Sequence, residues 1–266
     1  MFKVASIPAV KEITRIDVYD VLRSYTYNLR YKGRIKASCV YADAKYVWFG
    51  WMRSREKIKV KRFITLDSPE GKALCRLFGA YVAEGSASTP ETTLSRWCSS
   101  IASCDKSWLK QLQQDYYLLF KGTKTSIIPS MTKKRTLNYS VGEKHKAISY
   151  VDSTFKLQMM SQLSAVFFKM FCGQKSTGKK LPDFIFHAPK HLQELLIGEA
   201  VKGDGSHSVN KRLGYSKNYV EKNFKYTTKS LHLISGLSLL LTQLRQGYSI
   251  QYRPSKQCYN LMKSDK

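Results

Sequence analysis

Two stretches of the sequence decide the fold: Leu77–Gly85 reads LFGAYVAEG and Ile197–Gly205 reads IGEAVKGDG. Each is apolar and rich in small residues, and each ends in an acid followed by glycine, the pattern of a helix that stops at the glycine. A carboxylate at a helix C-terminus is disfavoured by about 0.3–1 kcal/mol, because the macrodipole is negative there. We therefore expect a cation beside Glu84 and Asp204.

The two stretches occupy matched positions in a longer pattern. A proline precedes each acid by 15 residues, which predicts the helices Pro69–Glu84 and Pro189–Asp204, each about 22 Å long. A strand-like segment follows each of them, and further helices are predicted to begin near Lys106 and Lys229. This order of helix, strands and helix indicates a diverged internal duplication.

Composition points to a folded protein with an anionic partner. Hydrophobic residues make up 43% of the 266 positions, and 45 Lys and Arg against 19 Asp and Glu give a net charge of +26. So large an excess favours nucleic acid, because basic side chains neutralise phosphates and release counterions. An anionic membrane surface is the alternative, but no apolar run approaches the roughly 20 residues needed to span a bilayer. We expect no membrane partner.

Periodicity predicts the remaining elements. Residues 34–51 are strand-like, and residues 57–62 alternate with one basic face. A third helix is predicted to carry the apolar stripe Leu157, Met160, Leu163, Phe167 and Phe171. Residues 174–180 form the best linker candidate, so the predicted division is an N-terminal extension at 1–66, a first repeat at 67–176 and a second at 177–266.

The cysteines and the N-terminus predict an intracellular protein that is not secreted. The six cysteines form no CxxC pair, and several lie within apolar patterns, which favours a reducing compartment and argues against a zinc site. Residues 1–15 lack the apolar core of a signal peptide.

Small residues on both motif helices predict a close helix pair. Gly79 and Ala83 share one face, and Gly198, Ala200 and Gly203 are expected to do the same on the second helix. If the helices pack about a pseudo-twofold axis, the two acids end side by side and repel each other unless a cation lies between them. An open site of oxygen ligands suits Mg²⁺, which would serve hydrolysis of a phosphodiester.

The two stretches resemble the double motif of the LAGLIDADG homing endonucleases, which are encoded in introns and inteins. The segments 171–173, 179–185 and 195–206 are similar to the region between repeats in intein-type members. The resemblance implies an α+β fold of two pseudo-symmetric αββαββα halves, a saddle on double-stranded DNA, formed by a monomer. It also implies that Glu84 and Asp204 hold Mg²⁺, or Mn²⁺, or Ca²⁺ in a non-cleaving complex, beside the Ala83 and Gly203 carbonyls. Glu199 departs from the family, because it stands where many members carry the packing glycine.

The resemblance further implies a basic catalytic residue in each half. Lys256 matches in the second half, and Lys146 or Lys144 in the first. The basic strands and loops are expected to bind DNA through Lys57, Lys59, Lys61, Lys133, Lys134, Arg135, Lys211, Arg212, Lys217 and Lys225.

The sequence thus predicts a Mg²⁺-dependent nuclease that cuts both strands of a long asymmetric site. Residues 1–66 are expected to add DNA contacts. Two alternatives use the same scaffold: an intron RNA maturase, for which RNA would be the partner, and a regulator that binds DNA without cutting it.

Overall fold

The computed structural model describes residues 12–27, 37–38, 40–49, 58–88, 97–141, 144–208 and 223–263. The helices in these ranges are α1 (Val18–Leu22), α2 (Pro69–Glu84), α3 (Lys106–Leu119), α4 (Gln162–Cys172), α5 (Lys175–Gly178), α6 (Lys190–Asp204) and α7 (Leu231–Gln243), with 3-10 turns at Asp183–His187 and Pro254–Lys256. None of these helices is both long and apolar enough to cross a membrane.

The strands before α4 belong to the N-terminal segment and the first half. They are β1 (Arg15–Asp17), β2 (Thr26–Tyr27), β3 (Ala37–Ser38), β4 (Val40–Ala42), β5 (Tyr46–Phe49), β6 (Lys59–Lys61), β7 (Phe63–Thr65), β8 (Gly85–Ser88), β9 (Cys98–Ser103), β10 (Phe120–Lys121), β11 (Thr125–Val141) and β12 (Lys144–Met159). The second half contributes β13 (Gly205–Ser208), β14 (Asn223–Thr228), β15 (Tyr248–Arg253) and β16 (Cys258–Lys263).

Two four-stranded antiparallel sheets repeat the same topology. The first has the order β11-β12-β9-β8 and the second has β15-β16-β14-β13, so each half runs helix, two strands, helix, two strands. The α+β class and the duplicated order predicted from the sequence are confirmed. In the described residues α4 completes the αββαββα pattern of the first half, whereas the second half is described as far as β16.

The prediction of the third helix was wrong at its start. The helix α4 begins at Gln162, with Ser161 as N-cap accepting a hydrogen bond from the Ser164 amide, so Leu157 and Met160 precede it. Leu157 is instead fully buried in β12, where alternation places it on the core face of the sheet. Apolar residues of the strand and the helix fell by chance into a helical period across the boundary.

The N-terminal segment packs directly against the first half. Strand β6 pairs with β10, which completes the sheet β10-β6-β5-β4, and β1 pairs with β7 just before α2. On α2, Phe78 contacts the α4 aromatics Phe167, Phe168 and Phe171, with ring centroids 5.1–6.1 Å apart. The helices of the first half therefore share one apolar core with the strands around them.

The helices α2 and α6 cross where their residues are smallest. A methyl group added at Gly79 would lie 2.5 Å from the Leu196 carbonyl oxygen and 2.7 Å from the Glu199 Cβ, so only glycine fits there. The expectation that Gly198 shares this contact was wrong, because Gly198 is exposed and a Cβ there would meet nothing within 4 Å. One residue turns a helix by about 100°, which carries Gly198 out of the interface.

We predict that Gly79→Ala destabilises the protein by about 1–3 kcal/mol, because the added methyl group overpacks the helix crossing. The matched control is Gly198→Ala, which should stabilise the helix by about 0.5–1 kcal/mol, since it lowers backbone entropy without a clash. Urea denaturation of both variants measures the two effects. Equal stabilities would mean that α2 and α6 do not approach closely at Gly79.

Candidate functional site

The C-terminal ends of α2 and α6 meet, and matched residues meet each other. A Cβ at Gly203 would lie 2.6 Å from the Ala83 Cβ and 3.2 Å from the Glu84 Cγ. The positions 79 and 199, 83 and 203, and 84 and 204 each differ by 120, so each residue faces its own equivalent. Contact between equivalent residues is what a twofold axis through the helix pair produces.

The crossing brings Glu84 and Asp204 together where the C-terminal ends of α2 and α6 meet, a place that we call the junction. Burial raises the pKa of Glu84 to about 7, and repulsion by Asp204 adds to the increase. Loss of water also raises the pKa of Asp204, although this residue remains exposed whereas Glu84 is only partly so. Glu84 is therefore the carboxyl group that we expect to hold a proton at neutral pH when no other cation is bound.

A buried lysine supplies the positive charge of the junction. The Lys179 side chain is 9% exposed, and its ammonium group donates a hydrogen bond to the Ala83 carbonyl oxygen at 2.8 Å. Burial lowers the pKa of Lys179, while attraction to Asp204 and Glu84 opposes that decrease. In turn, Lys179 lowers the pKa of both carboxyl groups. Lys179 therefore places a positive charge of the chain itself beside the two acids.

The second half also caps the end of α2. The last carbonyl groups of a helix have no partner within it. The Tyr226 hydroxyl donates to the Val82 carbonyl oxygen at 3.3 Å, beside the bond from Lys179 to Ala83. In the second half Tyr226 is in register with Gly205, the glycine that begins β13. In the first half the matching glycine, which begins β8, is in register with Ile101, and an isoleucine side chain cannot donate a hydrogen bond. The site is therefore asymmetric.

Backbone and aromatic contacts fix Lys179 in place. The Ser230 hydroxyl, which also caps α7, donates to the Lys179 carbonyl oxygen. The Lys179 ammonium lies 5.8 Å from the centroid of the Tyr81 ring, and the Tyr81 hydroxyl donates to the Gly173 carbonyl oxygen at 3.1 Å. Sequence reasoning assigned no role to Lys179, because nothing in the sequence distinguishes it from Lys180 next to it.

The departure at Glu199 is accommodated by Trp108 at the start of α3. The Trp108 indole N–H donates to the Glu199 Oε2 at 2.5 Å, which binds this carboxylate to the start of α3. The Lys202 ammonium lies 5.2 Å from the centroid of the same ring. A third acid near the helix crossing is thus bound by an indole and does not join Glu84 and Asp204.

The donor atoms at the junction suit a hard cation. Within the described ranges no three His, Cys, Asp or Glu side chains cluster as a metal site. A cation here would have the Glu84 and Asp204 carboxylates as its side-chain ligands, and Mg²⁺ is commonly held by one or two carboxylates with water and substrate oxygens. The Ala83 carbonyl oxygen, expected as a ligand, accepts the bond from Lys179 but has a second lone pair.

The two lysines predicted as catalytic lie away from the carboxylates. Leu157 of β12 is in register with Ile101, which is in turn in register with Gly85, the residue after Glu84. Lys146 precedes Leu157 by 11 residues along β12, and 11 residues of extended chain span about 36 Å. Lys256 is exposed in the turn between β15 and β16, five residues from Leu261, or about 16 Å. The structure brings Lys179 to the acids, whereas the backbones of residues 146 and 256 lie beyond the strand rows that adjoin the acids, and the catalytic role of Lys146 and Lys256 stays a prediction.

The residues expected to bind DNA fall on different surfaces. Lys59 and Lys61 lie on β6, where Lys61 pairs with Glu70 at the start of α2. The backbone of β11 carries residues 133–135 on a long two-stranded ribbon with β12, beyond the rows that pair with β9. Lys225 lies on β14, half-buried. Lys57, Lys211, Arg212 and Lys217 lie outside the described residues.

Both repeated sheets have one apolar and one polar face. In the second half Tyr226 and Leu261 are buried on one face, and alternation places Lys225, Thr227 and Gln251 on the other. In the first half Ile101 and Leu157 are buried, and Ser100, Lys156 and Gln158 lie opposite. Since α2 and α6 lead directly into the edge strands β8 and β13, these faces flank the junction.

Comparison with solved structures gave low-identity matches. No family model matches this sequence, and neither does any curated protein. A mesophilic variant of the homing endonuclease I-DmoI is 13% identical, with 74% of this chain and 85% of that chain covered, at a TM-score of 0.47. The homing endonuclease I-WcaI, bound to its DNA recognition sequence, is 12% identical (76% and 77% covered, TM-score 0.41). Full-length DUF199/WhiA from Thermatoga maritima is 13% identical (76% and 53% covered, TM-score 0.42).

We predict that stability without divalent metal falls as pH rises from about 4.5 to about 7. The folded protein holds the Glu84 proton up to about pH 7, whereas the unfolded chain releases it near its ordinary pKa of 4.5, so the folded state binds more protons across this window. Urea denaturation in EDTA at several pH values measures the slope. Glu84→Gln should flatten it, and an unchanged slope in that variant would place the titrating group elsewhere.

We predict that Lys179→Met destabilises the protein by about 1.5–3 kcal/mol, because it removes a charged hydrogen bond to Ala83 and leaves two carboxylates without their counter-charge. Its neighbour provides the control: Lys180 is half-exposed and lies 3.7 Å from Asp183, so Lys180→Met should cost well under 1 kcal/mol. Thermal unfolding of the pair distinguishes them. Similar losses in both variants would show that the Lys179 ammonium is not bound at the junction.

Proposed function

We propose that this protein binds double-stranded DNA and hydrolyses a phosphodiester bond in each strand, as a homing endonuclease of the LAGLIDADG type. The observation that carries the proposal is the pairing of Glu84 and Asp204 beside the buried Lys179, at the ends of two helices related by a pseudo-twofold axis. A twofold arrangement of acids matches the antiparallel strands of a duplex, each of which offers one phosphate to the junction.

The charge and shape of the surroundings support duplex DNA as the substrate. A net charge of +26 favours phosphate binding. The polar sheet faces on either side of the junction carry Lys, Gln, Thr and Ser, side chains that bind base edges and phosphates. As part of this proposal we retain the DNA-binding role that the sequence predicted for Lys225. We also retain it for the basic residues 133–135 of the β11–β12 ribbon.

Each residue at the junction has a defined part in the proposed reaction. Bound Mg²⁺ would lower the pKa of an attacking water and offset charge on the phosphoryl group. Glu84 and Asp204 would hold the cation through their carboxylate oxygens, which the cation would keep ionised. Lys179 keeps a positive charge beside both acids, where it would stabilise the charge that develops on a phosphate oxygen.

The organisation of the chain is part of the proposal. We propose repeats at 67–176 and 177–266, acting as one monomer, with residues 1–66 as an extension that adds nucleic-acid contacts. Lys179 then belongs to the second repeat and acts at the end of the first motif helix.

We predict that Glu84→Gln and Asp204→Asn each reduce double-strand cleavage at least about 100-fold while specific binding is kept, since removing an anion near phosphates does not weaken affinity. The substrate is the genomic sequence on either side of the gene joined as one duplex, incubated with Mg²⁺ or with EDTA. The control Glu194→Gln changes an exposed acid of α6 and should cut as the wild type does.

Three results would contradict the proposal in different ways. Wild-type cleavage by either site variant would remove the assignment of the acids. Tight binding of the duplex without cleavage in Mg²⁺ would favour a regulator, and preferential binding of the intron RNA would favour a maturase.

A further inference from the structure

The last hairpin of the second half presents an exposed apolar row. Strand β15 is the edge strand of its sheet within the described residues, and all of its residues except Arg253 are exposed. Tyr248, Ile250 and Tyr252 follow one another on one face of this strand, with exposures of 36%, 47% and 50%. We call these three residues the β15 row. A contiguous apolar group on a surface, unlike a single exposed apolar residue, is a candidate binding site.

The β15 row lies on the apolar face of the sheet, beyond the helix that covers this face. Ile250 is in register with the fully buried Leu261, so the row is not on the polar face that we propose for duplex DNA. Helix α7 packs against β14 and β16. It reaches β15 at its C-terminal end, where the Thr242 Oγ1 lies 3.1 Å from the Tyr248 hydroxyl oxygen. The helix thus leaves the three side chains of the row in contact with solvent.

Both tyrosine rings of the row remain accessible beside their described contacts. The Tyr259 ring lies next to Tyr252, with centroids 5.0 Å apart and planes tilted by 42°, and Tyr252 still has half of its surface exposed. The contact between Tyr248 and Thr242 is made by the hydroxyl group at the edge of the Tyr248 ring. Each ring therefore offers surface to a flat ligand.

The two tyrosines are specific to the second half. Thr125 and Pro129 occupy the positions in β11 that match Tyr248 and Tyr252, because the strand register around the buried central leucine is the same in both sheets. In the first half the Thr125 hydroxyl accepts a hydrogen bond at 2.8 Å from the Gln113 side chain, so α3 binds the edge strand there. The repeated scaffold thus folds without rings at these positions.

The surroundings of the β15 row favour an anionic partner. Residues 223–263 contain six Lys and Arg and no Asp or Glu. Arg245 precedes Tyr248 by three residues, Lys256 follows Tyr252 by four, and both basic residues are exposed. The row itself is about 14 Å long, and a positive charge follows each of its ends along the chain. A partner that is anionic and also stacks on aromatic rings is nucleic acid with unpaired bases.

We propose that the β15 row binds single-stranded nucleic acid. Unpaired bases stack on Tyr248 and Tyr252, as they do on the sheet aromatics of other single-strand binders, and Arg245 binds a phosphate of the same strand. A duplex offers the phosphates but not the rings, because neighbouring base pairs cover its base faces. An anionic membrane also matches the charge, but membrane binding scales with apolar area, and two of the three side chains carry a hydroxyl group.

The test measures the affinities of the full-length protein for a labelled 12-nucleotide oligouridylate and for a 12-base-pair duplex, by fluorescence anisotropy in EDTA. Tyr252→Leu should lower the ratio of single-strand to duplex affinity about tenfold, and Tyr252→Phe at most about twofold, because phenylalanine keeps a ring for stacking. Arg245→Gln should reduce the salt slope of single-strand binding by about 0.7.

The control variant is Tyr117→Leu, which removes a 39% exposed ring of α3 in the first half and should not change the ratio. Thermal unfolding shows whether each variant is folded, and Tyr248→Leu should repeat the loss caused by Tyr252→Leu.

Four results would overturn the proposal. They are equal effects of Tyr252→Leu and Tyr252→Phe, equal weakening for both nucleic acids, no single-strand binding by the wild type, and binding of phosphatidylserine vesicles that Tyr252→Leu abolishes, which would assign the row to a membrane. Because no metal is present, these outcomes are independent of whether the protein cleaves DNA.

Discussion

The close crossing of α2 and α6 is the contact on which the rest of the structure depends. Gly79 lets the Leu196 and Glu199 region of α6 approach, and Ala83 packs on Gly203 near the helix ends. Because each helix ends in an acid, the crossing forces two carboxylates together at the negative ends of two macrodipoles. Their repulsion destabilises the fold, and the energy gained by burying the helix faces must exceed it.

The chain offsets this repulsion with groups from the second half. Lys179 binds the Ala83 carbonyl oxygen and lies near both acids, while Tyr226 caps the Val82 carbonyl group. The Tyr226 contact has no equivalent at the matched position of the first half, because Ile101 stands there and its side chain cannot donate a hydrogen bond. A duplicated scaffold thus carries an asymmetric site, in which one helix end is capped by side chains of the other repeat.

In the proposed function the sheets position the duplex, and the acids at the helix junction carry out the chemistry. The polar faces that carry Lys156 and Lys225 begin beside the junction, because the edge strands β8 and β13 follow the acids without a linker. A duplex on these faces would place its phosphates near Glu84 and Asp204. The N-terminal sheet joins this scaffold through the pairing of β6 with β10, which follows α3.

The sequence by itself determined the helices that end at Glu84 and Asp204 and the duplicated order of elements, since these follow from local capping and periodicity. It predicted the pairing of the acids only on the condition that the two helices pack about a twofold axis. Only the tertiary structure decided the helix face that carries Gly198, the start of α4, and the lysine that reaches the acids. Lys179 and Lys180 are equivalent as sequence, and Lys146 matched a family pattern better than either. Which of the two ammonium groups is buried depends on contacts with Ala83 and Ser230, which lie 96 and 51 residues away from Lys179 along the chain. The sequence next to Lys179 does not indicate such distant partners.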